Sequence, residues 1–274
     1  MKTIIVPVDF SAAAANAAEF AGNLAAFYGA ELWLYHAYEL PVSISEYAFP
    51  VMTSEEMHEA AEHEMEVFKD EIQDALRHVI NIHTKTEMNL LRDGLDAFCA
   101  AMKPDLIVMG LSGNTGFTKL LVGSNTIKAI HYLKYPVLVI PPKASFIPVR
   151  RIGFACDYEK VLENTPMDLL KKIVRDFNAE LHVMNIRPHK STYGAGKVSE
   201  GYYISELLKE FKPEYHEIES DDITEGINWF VDKGRLDWIV AIPKKHNLAE
   251  SLFRRSNTKD LLYHTHVPVL CMHE

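Results

Sequence analysis

Short, largely apolar runs alternate along the chain with longer segments of helical periodicity. Ile4–Val8, Leu32–Ala37, Leu106–Met109 and Val137–Ile140 are such runs. Continuous apolar stretches of this length suit strands buried on both faces of a parallel sheet. Between them, Ser11 followed by the Ala-rich segment Ala12–Tyr28 and then Gly29 predicts a helix with a side-chain cap at its start and a glycine at its end. Ser54–Val79 is long, acidic and periodic and predicts a second helix. Asn125–Leu133, after a Gly-Ser pair, predicts a shorter one. Strand and helix in alternation predict an α/β fold with a doubly wound parallel sheet and right-handed crossovers.

The same pattern then runs a second time. Lys2–Phe10 (KTIIVPVDF) is echoed by Arg150–Tyr158 (RRIGFACDY), and Gly29–Leu34 (GAELWL) within Asn178–Met184 (NAELHVM). Gly94–Phe98 is echoed by Gly226–Phe230, Pro104–Val108 by Leu236–Val240, and Tyr135–Val139 by Val267–Cys271. The offset between copies is 149 at Ala30 and Ala179 but 132 at Gly94 and Gly226, so the second copy is 17 residues shorter. The deficit falls between the second strand and the third helix. Pro141, Pro142 and Pro148 mark the join. A repeat of this length predicts two domains of one fold, over residues 1–143 and 149–274.

Composition narrows the function. The formal net charge is −10, which disfavours a sequence-independent nucleic-acid surface and docking on an anionic membrane. No stretch reaches the roughly 20 apolar residues of a spanning helix, and the N-terminus lacks the long apolar run of a signal peptide. A cytoplasmic location is expected. Cys99, Cys156 and Cys271 are far apart and form no Cys-x-x-Cys pair, so buried free thiols are expected. Thirteen histidines raise the question of a metal. His58 and His63 are five apart, which is not the spacing of one helical face, and no cluster in the sequence completes a zinc shell. No metal site is expected. No Gly-x-Ser-x-Gly elbow is present, and no catalytic residue is assigned.

The strongest chemical signal is Gly110-Leu111-Ser112-Gly113, nine residues, then Gly123-Ser124-Asn125-Thr126. It follows an apolar strand and opens a helix. Ligands of open α/β sheets bind at the carboxyl ends of strands. Glycine there lets backbone N–H groups approach phosphate oxygens, and a helix N-terminus favours an anion. A loop that merely needs positive φ angles would also use glycines. The spacing is neither a Walker A loop nor a Gly-x-Gly-x-x-Gly fingerprint.

Gly-x2-Gly-x9-Gly-Ser resembles the ATP-binding signature of the universal stress protein family. Pro7-Val8-Asp9-Phe10-Ser11, His36-Ala37, Gly94, Asp105–Gly110 and Tyr135–Val139 resemble that family's other motifs. The resemblance spans nearly the whole chain, as two copies. It implies two doubly wound parallel five-stranded sheets of the adenine-nucleotide α-hydrolase type, and ATP, with or without Mg2+, as the ligand. Asp9 resembles the acid that contacts the nucleoside, Ala37 a residue lining the adenine pocket. Gly110, Gly113, Gly123, Ser124, Asn125 and Thr126 resemble the phosphate cradle. Asp9 also reads as an acid placed near a helix N-terminus without any ligand.

At the three glycine positions the second copy carries Ile242, Lys245 and Arg255, though Ser256-Asn257-Thr258 repeats Ser124-Asn125-Thr126. One nucleotide site, in the first copy, is expected. Lys244, Lys245, Arg254 and Arg255 form a basic loop that is either solvated or attracts an anion. Single-domain members of the family pair through their final strands, which implies an internal pseudo-dimer: Val137–Ile140 against Val267–Cys271, antiparallel, each covering the other's edge. The expected function is regulatory nucleotide binding with an unidentified protein partner, and pairing of the tandem chain with a second copy is left open. An adenine-nucleotide enzyme of related fold and a scaffold that binds no nucleotide are the alternatives.

Overall fold

The structure of the chain is a computed structural model, which describes residues 1–39, 53–111, 124–158, 167–188, 195–243, 260–262 and 264–272. Two compact units are present, Met1–Gly110 and Leu111–Glu274.

The first unit runs β1 (Thr3–Pro7), α1 (Ala12–Tyr28), β2 (Glu31–Tyr38), α2 (Ser54–Ala75), β3 (Ile82–Met88), α3 (Leu91–Met102) and β4 (Leu106–Gly110). The strands are all parallel, in the order β3-β2-β1-β4. The predicted ends of α1 are the observed ones. The Ser11 side chain accepts from the Ala14 N–H, and Gly29, at φ 61°, closes the helix on the Ala25 and Ala26 carbonyls. The alanines at 14, 17, 18, 21 and 25 are buried, so small side chains let this helix lie close on the sheet.

Helix α2 starts with a capping box. The Thr53 hydroxyl accepts from the Glu56 N–H (3.1 Å), and Glu56 accepts from the Thr53 N–H (2.7 Å). It stops at Ala75, short of the predicted Val79. Leu76 turns to an extended backbone, ψ 140°, and its side chain lies over Gly22, where a Cβ would fall 2.6 Å from Leu76 Cδ1.

The second unit holds α4 (Ser124–Tyr132), β5 (Val137–Ile140), β6 (Arg151–Ala155), α5 (Met167–Phe177), β7 (Glu180–Arg187), α6 (Ala195–Leu208), β8 (Glu214–Glu219), α7 (Ile223–Gly234), β9 (Trp238–Ala241) and β10 (Val269–Cys271). Strand order is β5-β10-β9-β6-β7-β8. Each copy thus contributes five strands among the described residues, and all pairs within this second unit are parallel except one. β5 and β10 run antiparallel, with Val139 opposite Val269, Leu138 opposite Leu270 and Val137 opposite Cys271. This is the expected pairing of the last strands of the two copies, and it leaves β5 and β10 buried throughout.

The copies repeat each other bond for bond at the amino end of the sheet. Asp105 Oδ2 accepts from the Lys2 and Thr3 N–H groups at 2.6 and 3.1 Å. Asp237 Oδ2 accepts from Arg150 and Arg151 at 2.6 and 2.9 Å. The three cysteines are buried and form no disulfide. Burial pushes the Cys271 thiol up to about 12, and burial with the Asp96 charge does the same to Cys99. Both stay protonated and unreactive at neutral pH. No helix among the described residues is long and apolar enough to cross a membrane.

Candidate functional site

In the first unit the carboxyl ends of three neighbouring parallel strands bring together Asp9, Ala37 and Gly110. The Val8 N–H donates to the Tyr35 carbonyl (2.8 Å), and His36 Nδ1 lies 2.8 Å from the Val8 carbonyl. A carbonyl only accepts, so the hydrogen of this contact sits on Nδ1. Asp9 comes next and is exposed, with Oδ1 accepting from the Ser11 N–H at 3.2 Å. Asp9 thus tethers the start of α1 and keeps its carboxylate in solvent.

Phe10 lies between them at φ 58°, the left-handed region that aromatic residues rarely enter. Its ring is 4.4 Å from that of His36 and 5.6 Å from that of Phe68 on α2. The packing offsets a backbone cost of roughly 1 kcal/mol. Beyond His36, the Tyr38 hydroxyl meets His58 Nδ1 at 2.9 Å. The sequence motifs pointed to Asp9 and Ala37 but not to this aromatic surround. Phe10 sits inside the Val-Asp-Phe-Ser motif, whereas Phe68 and His58 reach it only through the packing of α2.

Ala37, on β2, is half-buried and stands opposite Glu87. Gly110 ends β4. A Cβ built on it would fall 2.2 Å from the Ala13 carbonyl oxygen and 2.7 Å from its carbon. Glycine is required there by the approach of the first turn of α1, whether or not a phosphate also comes close. Gly113 and Gly123 lie outside the described residues. Ser124 opens the nine-residue helix α4. Asn125 is exposed and Thr126 is buried, so of these two Asn125 turns its side chain to solvent.

The second copy builds the same end from larger parts. Asn185 replaces His36 and donates to the Cys156 carbonyl at 2.7 Å, and the Cys156 N–H donates to the Met184 carbonyl at 2.9 Å. Tyr158 repeats the left-handed backbone of Phe10, with φ 54°. At the positions of Ala37 and Gly110 stand Ile186 and Ile242, 4% and 7% exposed, and Asp157 is 6% exposed. Lys245, Arg255 and Ser256-Asn257-Thr258 lie outside the described residues. A separate group of metal-capable side chains, His182, Glu214 and His216, gathers near the amino ends of β7 and β8.

Residues 1–141 match the model of the Universal stress protein family. A universal stress protein of Methanocaldococcus jannaschii is 33% identical over 147 residues, covering 51% of this chain and 81% of that protein. The crystal structure of a universal stress protein from Archaeoglobus fulgidus matches with a TM-score of 0.72 at 20% identity, over 98% of this chain and 97% of that one. The structure of a functionally unknown protein from Pseudomonas aeruginosa matches with a TM-score of 0.63 at 14% identity, over 99% and 92%. At these identities the two structures speak for the fold alone, and they do so over both copies.

Proposed function

The chain belongs to the universal stress protein family, and we propose that it is an ATP-binding regulatory protein with one nucleotide site, in the first of two domains spanning 1–143 and 149–274. The observation that carries this reading is the contrast between the two carboxyl edges. Ala37, with an exposed Asp9, leaves room and an acceptor at the first. Ile186 and Ile242, with a buried Asp157, fill the second.

In this reading Asp9 accepts from the nucleoside hydroxyls and Ala37 lines the base pocket, with the aromatic ring of Phe10 nearby. Gly110, Gly113, Gly123, Ser124, Asn125 and Thr126 serve the phosphates, with or without Mg2+. The head of α4 supplies backbone N–H groups and a favourable dipole. Neither the Lys of a P-loop nor a water-activating base accompanies the glycines in the sequence, so turnover is slow or absent and occupancy itself is the signal. An acidic chain in this role is cytoplasmic and acts through a protein partner.

Calorimetric titration of the full chain tests the assignment. Wild type is expected to bind one ATP, and Gly123→Arg, which copies Arg255, to lose binding while keeping its fold. Unchanged affinity in that variant would contradict the phosphate cradle. Steady hydrolysis above roughly one per second would contradict a binder.

A further inference from the structure

We propose that the second copy carries a zinc site formed by His182 Nδ1, Glu214 Oε2 and His216 Nε2, with a fourth position open to solvent. His182 lies on β7, and Glu214 and His216 lie on the neighbouring edge strand β8. The parallel register sets His182 opposite Glu214, and a strand's period of two puts His216 on the same face. The two imidazole nitrogens are 3.1 Å apart, and the carboxylate oxygen is 3.6 Å from one and 3.7 Å from the other. A point about 2.0 Å from all three atoms exists at the centre of this triangle, the distance at which zinc takes histidine nitrogen and carboxylate oxygen. The three edges also lie near those of a tetrahedral face. Two histidines and one carboxylate suit a borderline cation such as zinc rather than calcium or magnesium, which prefer all-oxygen shells.

The surroundings fix this set. The Phe230 ring on α7 packs 4.4 Å from His216 and 6.2 Å from His182, so both imidazoles are wedged. His182 is 7% exposed, and its other nitrogen, Nε2, is buried without a hydrogen-bond partner. Metal on Nδ1 would place the ring hydrogen on Nε2, which faces Glu180 Oε2 at 3.9 Å, and Arg151 holds that carboxylate at 2.9 Å. At 3.9 Å that carboxylate is beyond hydrogen-bond distance, and it would have to close in to give the support usual behind a zinc-bound histidine. The Glu214 side chain is 71% exposed and that of His216 27%, which leaves the fourth position to water or a ligand. The first copy has Trp33, His83 and Lys85 at the corresponding register positions, and a protonated lysine cannot ligate. The site is therefore a property of the second copy alone and is independent of the nucleotide reading.

The test uses the full chain without a histidine tag, stripped with a chelator and titrated with Zn2+ against a chromophoric competitor. One equivalent of tight binding is expected, with Co2+ giving the strong visible absorption of four-coordinate geometry. His216→Gln and Glu214→Gln, both at solvent-accessible edge positions, should weaken binding by more than the roughly 10–100-fold that loss of a supporting group costs. His58→Gln should leave it unchanged. Absence of zinc binding at micromolar concentrations would overturn the proposal, as would a tight equivalent that survives both His216→Gln and Glu214→Gln.

Discussion

At the carboxyl ends of the first, second and fourth strands the N-terminal copy carries Asp9, Ala37 and Gly110, where the C-terminal copy carries Asp157, Ile186 and Ile242. At the amino ends the two copies carry the same acid, Asp105 and Asp237, accepting from the same pair of backbone N–H groups. The residues that hold the frame and the residues that shape the ligand edge are different sets, on opposite ends of the strands. One end can therefore change without loss of the fold. The left-handed Phe10 and Tyr158 belong to the frame, since both copies keep the conformation although the edge beside it differs.

Four substitutions bear on that division, from the largest expected effect to the smallest. Ile242→Ala removes a buried side chain from the second copy and should lower stability by roughly 2–5 kcal/mol in chemical denaturation. A neutral result would mean that the isoleucine does not fill that edge. Ala37→Ile imports the second copy's bulk into the first. It should weaken ATP binding about 5–150-fold, the equivalent of 1–3 kcal/mol of overpacking, with little change in stability. Gly110→Ala sets a Cβ against the Ala13 backbone and should cost roughly 1–3 kcal/mol of stability even without nucleotide. If it loses ATP affinity at unchanged stability, the glycine serves the phosphate and not α1.

Thr53→Ala should cost about 1 kcal/mol, through α2 of the first copy only. Its pH dependence has a definite sign. Hydrogen bonds from the Thr53 backbone, then from its side chain, hold the Glu56 carboxyl below the usual carboxylate range. The reciprocal cap is thus intact above the ordinary carboxylate pKa and is lost as pH falls through the lowered value. The difference between wild type and Thr53→Ala should shrink over that acid window and stay constant above it.

Much of this was legible in the sequence, for reasons that can be named. Helix α1 announced both of its ends through Ser11 and Gly29. The apolar strands at the centre of each copy read as such because both faces are buried. The mutual pairing of the final strands was implied by the family resemblance, and the ladder between Val137–Ile140 and Val269–Cys271 matches it. The edge strands β3 and β8 were not named from the sequence. Ile82–Met88 is half-buried on both faces and Glu214–Glu219 is mostly exposed, so neither shows an apolar run. The end of α2 was overshot because the periodic pattern continues past Leu76, which leaves the helix to cover Gly22.

The glycine signature located the candidate site, but Gly110 has a packing reason that no spacing could reveal. His182 and His216 stand 34 residues apart. Only the register of β7 and β8 brings them to one face, with Glu214 between them in sequence and opposite His182 in space. In a linear reading, thirteen histidines offered no way to choose that pair.

The central claim, one nucleotide site per chain and that site in the first copy, is tested most directly by native mass spectrometry of the intact chain with increasing ATP. A single adduct is expected at saturation, with its half-point moved to about 5–150-fold higher ATP in the Ala37→Ile variant. Two adducts of equal affinity, or an unmoved half-point in Ala37→Ile, would contradict it.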